Sequence, residues 1–173
     1  METQQPTAGK FAINYGLILG AVMILLSVIM YATGMTLRGE QWPNFIYYII
    51  FPVVIIYGLS QFKKQNAGVL SLGDAIKFGL SAAVISALVA AVYTLIFVYV
   101  IDPEFMGQVL KMSEDKMMEN PNMTPEMIEA SSKMMKIMSN PFLTSAIMIA
   151  LSALFGLIYS LIGGLIMKSE QQA

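Results

Sequence analysis

Chemistry in this chain has few residue types to draw on. The 173 residues contain no histidine and no cysteine. That removes the commonest general base, the commonest metal ligand, the thiolate nucleophile and any disulfide. What remains is gathered between residues 102 and 140. This segment holds seven carboxylates, four lysines and nine of the fifteen methionines, and it carries Ser131, Ser132 and Ser139. Methionine thioethers are soft ligands that select Cu(I). Here Met117, Met118, Met123, Met127, Met134, Met135 and Met138 lie close in sequence. Methionine is also a pliable apolar filler of irregular or promiscuous surfaces. With no His or Cys beside it, the methionine run reads as surface rather than as a copper site. No nucleophile elbow, P-loop or zinc-ligand spacing occurs. The expectation is therefore a protein that is not an enzyme and that binds no cofactor and no metal.

The elements that present this segment are membrane spans. Charged residues make up 12% of the chain, half the roughly 25% of a soluble domain, and the apolar residues form long runs. The formal net charge of -1 argues against a nucleic-acid partner. The fold class expected is all-α: a polytopic membrane protein, residues 1–173 forming a single membrane domain. Its spans lie at about 11–33, 43–62, 75–101 and 141–167, with an exported two-helix insertion, 102–140, between spans 3 and 4.

The N-terminal residues 1–9 are polar and read as a short frayed tail. The first apolar run exceeds the roughly 7–15 residues of a signal-peptide core, so it reads as an uncleaved anchor. Asn14 near its start is expected to bond a neighbouring helix. In the second span Pro43 suits a first helical turn, while Pro52 falls mid-span and removes one backbone donor. Trp42, Tyr47 and Tyr48 cluster as an interfacial belt would. A polar loop is expected over 61–71. The third span reaches about 40 Å at about 1.5 Å per residue, longer than a hydrocarbon core of about 30 Å, so it tilts or projects.

Small residues recur every fourth position along these spans. The first span has Ala12, Gly16 and Gly20. The third has Gly79, Ala83, Ala87 and Ala91, with Ala82, Ser86, Ala90 and Thr94 as a second row. The fourth has Ser152, Gly156, Ser160 and Gly164. Such rows let helix backbones approach closely in lipid, where no hydrophobic force drives association. The rows of spans three and four are expected to pair.

Three X-Pro pairs punctuate the insertion: Asp102-Pro103, Thr124-Pro125 and Asn140-Pro141. Each offers an N-cap followed by proline at the first helical position. The reading is a helix from Pro103 to Glu119, a turn at Asn120-Pro121-Asn122, a helix from Pro125 to Met138, and Asn140 capping the last span. Met127, Ile128, Met134, Met135 and Met138 lie on the apolar side of the second helix, and Glu129 and Lys133 form an i,i+4 pair on the other. Those five residues are the candidate partner surface.

Lys and Arg near span ends decide orientation. Lys10, Lys63, Lys64, Lys77 and Lys168 would share one side; Arg38, Lys111, Lys116, Lys133 and Lys136 the other. The totals tie. The first set is concentrated in short segments and the second diluted in an acidic one, so both termini are expected in the cytoplasm.

The stretch LSLGDAIKFGLSAAVISALVAAVYTLIFVYVIDPEF resembles the central signature of the bacterial family called domain of unknown function 4199. The likeness covers about Phe11 to Lys168, and its best matched polar positions are the exit motif Asp102, Pro103, Glu104 and Phe105. It implies four spans and a bacterial inner-membrane location, and it brings no activity, catalytic residue or cofactor. The function expected is a non-enzymatic structural or interaction protein of the bacterial envelope. Its partners would be the lipid bilayer, an envelope protein or a second copy in a homo-oligomer. The alternative is a small-solute or ion transporter or channel subunit acting as an oligomer. A transporter asks for a polar mid-membrane cavity near Pro52. An interaction protein asks for a dry bundle and an apolar exported surface. No Asp, Glu, Lys or Arg lies near the centre of any span, where a transported ion would need one.

Overall fold

A computed structural model describes residues 7–169. Within them the chain forms six helices: α1 (Ala8–Ala32), α2 (Trp42–Gln65), α3 (Leu72–Ile96), α4 (Phe105–Met118), α5 (Pro125–Met138) and α6 (Pro141–Met167). α3 runs on through one π turn, Phe97–Ile101. α1, α2, α3 with its π turn, and α6 are each long and apolar enough to cross a membrane. The protein is a multi-pass membrane protein.

Four helices start on side-chain caps that take up backbone N–H groups with no partner inside the helix. Thr7 accepts from the Lys10 N–H, and Ser71 accepts from the Asp74 N–H. Thr124 accepts from Met127, and Asn140 Oδ1 accepts from Phe142 and Leu143. The Ser71 hydroxyl also donates to the Asp74 carboxylate at 2.6 Å, which closes the cap from both sides.

Asp102 does not cap α4. The helix begins at Phe105 behind Glu104, which makes no side-chain cap bond. The Asp102 carboxylate is engaged elsewhere, by Tyr31. α2 also continues past Phe62 to Gln65, so the polar loop is shorter than 61–71. The extra turn is held because Lys63 Nζ donates to the Met167 carbonyl at 2.8 Å. Asn14 is exposed on the outer face of α1 rather than turned toward a neighbouring helix. Of the polar N-terminal tail, residues 1–6 lie outside the described residues; Ala8 and Gly9 already belong to α1. The tail after Ser169 also lies outside them.

α3 is the hub. α1 packs along one side of it and α6 along the other, while α2 packs mainly on α1 and α6. Fully buried Phe78, Leu19, Ile55 and Leu59 fill the centre. Phe78 meets Phe11 and Tyr15 with ring centroids 6.2 and 5.4 Å apart, and Phe11 meets Phe62 at 5.6 Å. This aromatic cluster closes one end of the bundle. The same end is tied by an antiparallel bridge between Leu70 and Ser169. The other end carries the 33–41 connection and the α4–α5 hairpin, which meet where Lys116 Nζ donates to the Arg38 carbonyl at 2.6 Å.

Candidate functional site

The two rows of small residues on α3 face two different helices. A Cβ added at Gly79 would lie 2.7 Å from the Gly156 carbonyl oxygen. One added at Gly156 would meet the Ala83 side chain and lie 2.7 Å from the Gly79 oxygen. Gly164 sits as closely on Ala75, and Ser152 Oγ donates to the Ala83 carbonyl at 3.2 Å. The positions rise on α3 as they fall on α6, so the pair is antiparallel. Ala82 and Ser86, from the second row, face α1: Gly16 is pressed on Ala82, and Gly20 on Val89 and the Ser86 carbonyl. Here the positions rise together, and the pair is parallel. Contacts this close exclude any larger side chain and are the form of attraction available between helices in lipid.

Ala87 and Ala91 belong to the first row, but they leave room above the α3–α6 contact. α2 meets α6 lower down, where Leu59 packs at Gly163, and at mid-span, where Phe51 and Tyr159 lie 6.0 Å apart. Above that level a cavity of about 200 Å³ separates them. Tyr47, Phe51, Ala91, Met148, Phe155 and Tyr159 are among its walls. The Tyr47 and Ser86 hydroxyls share a hydrogen bond at 3.2 Å beside it. No Asp, Glu, Lys or Arg lines it.

The exit motif converges on α1. Tyr31 donates to Asp102 Oδ2 at 3.0 Å. The Phe105 ring stands edge-on to Tyr31 and to Phe97, with centroids 5.1 and 5.3 Å away, and Tyr31 and Phe97 meet at 4.9 Å. The three rings form a closed triad of mutually perpendicular contacts. Pro103 and Glu104 are exposed and take no part. A second cavity of about 200 Å³ lies at this triad, with Ser27 and Tyr93 also in its walls. Tyr31 and Phe97 were not distinguished by the sequence. Their only signal was an aromatic residue at the end of each span.

The hairpin contains no buried residue. Within the candidate surface Ile128 and Met135 are half-buried, while Met127, Met134 and Met138 are exposed. Met118 and Ile137 add to the open apolar side. Glu129 and Lys133 pair at 2.7 Å on the water-facing side. In the facing connection Arg38 Nε donates to Glu40 at 2.6 Å and Nη1 donates to the Thr33 carbonyl at 2.8 Å. That guanidinium holds the Glu40 carboxyl below the usual carboxylate range, with help from the Trp42 indole N–H.

A family model described as protein of unknown function (DUF4199) matches residues 14–169. No curated protein and no solved structure matches the chain.

Proposed function

The chain belongs to the DUF4199 family, and from that premise we propose that it is a non-enzymatic interaction protein of the bacterial envelope. In this reading the four spans form one domain in the inner membrane. Both termini lie in the cytoplasm, and the α4–α5 hairpin projects on the exported side. Lys10, Lys63, Lys64, Lys77 and Lys168 all belong to the bundle end away from the hairpin, which supports that orientation by the positive-inside rule.

The observation that carries the proposal is the unburied apolar side of the hairpin. Exposed Met118, Met127, Met134, Ile137 and Met138 cover no part of their own bundle. Methionine-rich helical surfaces adapt to a partner's apolar side chains. An envelope protein presenting an amphipathic helix or an apolar groove is the occupant this surface fits. The transport alternative asks for a polar cavity beside Pro52. The cavity beside Phe51 has mostly apolar walls and no formal charge, which favours the interaction reading.

In-cell photo-crosslinking from a probe at Met134, read by mass spectrometry, tests the proposal. One recurring protein adduct is the expected result. Adducts only to lipid, or only to the protein itself, would overturn it.

A further inference from the structure

We propose that the cavity between α2 and α6 is a binding site for one acyl chain of a membrane glycerophospholipid. Every lining residue belongs to a membrane-crossing helix; none comes from a connection or from the hairpin. The space is therefore surrounded by bilayer rather than by water. Its rim is formed by side chains already open to the outside, Tyr48 at 62% exposed, Met148 at 47% and Phe155 at 44%. The floor is alanine, Ala87, Ala90 and Ala91, too short to fill it.

Charge and hydrogen bonding select the occupant. The walls carry no formal charge, so a headgroup finds no counter-ion there. The nearby hydroxyls are engaged within the protein: Tyr47 with Ser86, Ser152 with the Ala83 carbonyl, Thr144 with the Met138 carbonyl. A ligand that asks for no polar partner fits, and hydrocarbon is that ligand. Size excludes a helix from a second copy. One helical turn, about 10 Å across and about 5.4 Å high, needs roughly 400 Å³, twice the space of about 200 Å³ present. An apolar cavity of roughly 150 Å³ already admits a benzene-sized hydrocarbon.

The test uses the full chain in nanodiscs of phosphatidylcholine bearing a diazirine midway along one acyl chain. After irradiation, adducts are mapped by mass spectrometry. Adducts on Ala90, Ala91 and Met148 are expected to exceed those on Leu25, an exposed residue of α1, several-fold. Ala91→Phe fills the space and is expected to reduce the Met148 adduct several-fold while leaving that on Leu25 unchanged. Should Ala91→Phe fail to fold, Ala91→Leu gives the same comparison with less added bulk. Uniform labelling around the bundle would overturn the proposal. So would a Met148 adduct that persists at full level in the filled variant, or crosslinks there to a second copy of the chain.

Discussion

The phenol of Tyr31 reaches the carboxylate of Asp102 at 3.0 Å, joining the end of the first span to the exit of the third. Around this bond the rings of Tyr31, Phe97 and Phe105 meet edge to face. α4 departs from the bundle directly after it, so the bond and the rings set where the hairpin leaves.

Tyr31→Phe removes the hydrogen bond and keeps the rings. The expected cost is about 1 kcal/mol. Phe105→Ala removes two edge-to-face contacts, each contributing about 0.5–1.5 kcal/mol beyond its buried area, and is expected to cost more. Amide hydrogen exchange over 102–118 in nanodiscs checks this. Exchange there should quicken in both variants, more in Phe105→Ala, while the α3–α6 contact stays protected. Equal protection in both variants and in the unaltered protein would remove the triad as the anchor.

Gly156→Ala forces a methyl group against Ala83 and the Gly79 carbonyl. Neither neighbour can move without its helix, so a loss of about 1–3 kcal/mol is expected. Gly107→Ala serves as the opposite case. Nothing lies within 4 Å of a Cβ there, and alanine in place of glycine inside α4 is expected to stabilise that helix by about 0.5–1 kcal/mol. Thermal unfolding in one lipid composition compares the two. A neutral Gly156→Ala would mean that α3 and α6 are not in contact at that register.

Tyr47→Phe takes away the one partner of the fully buried Ser86 hydroxyl on the α2 side. Side-chain hydrogen bonds between membrane helices average about 0.6 kcal/mol, and a loss of that order is expected. The double variant Tyr47→Phe with Ser86→Ala should recover part of it, because no buried hydroxyl is then left without a partner. A double-mutant cycle with no coupling would contradict the bond.

Glu40 titrates low because Arg38 grips it. A carboxyl depressed in the folded protein contributes stability above its ordinary range. That contribution is lost as pH falls through the depressed value. In Arg38→Gln the Glu40 midpoint is expected to rise toward the ordinary carboxylate range. Carbon-13 NMR of labelled glutamate, with Glu40→Gln to assign the signal, reads it directly. An unmoved midpoint would separate the two residues.

Glutamine at Met127, Met134 and Met138 together tests the hairpin surface. All three are exposed, so bundle stability should change by no more than about 0.5 kcal/mol for each substitution. The crosslink from a probe at Ile137 to the envelope partner should be lost. Retention of the same adduct would move the contact to another face.

The sequence showed most clearly what depends on near neighbours in the chain. Four apolar runs, the caps at Thr124 and Asn140, and small residues four apart are patterns of composition and spacing. Asp102-Pro103 has the same form as the two working caps. It differs only because Tyr31, 71 positions away, takes the carboxylate. The continuation of α2 past Phe62 depends on Lys63 finding the Met167 carbonyl, again a partner from a distant span. The cavity at Ala87 and Ala91 was hidden for a related reason. Spacing marks where a helix can approach, but the direction in which α2 and α6 diverge decides whether one does.

The hub position of α3 also sets an order of events during synthesis. α1 and α3 can close on each other as soon as both have emerged, since each precedes the hairpin in the chain. α6 follows only after residues 102–140 have been made, a delay of roughly 2–8 s at about 5–20 residues per second. Throughout that interval Gly79 and Ala83 form an open notch in a half-built protein. Such a notch accepts any small-faced helix that drifts past, including α6 of a neighbouring nascent chain. Early assembly is therefore the stage at which crowded expression would yield entangled dimers. Slowing initiation, rather than stabilising the finished bundle, would be the way to suppress them.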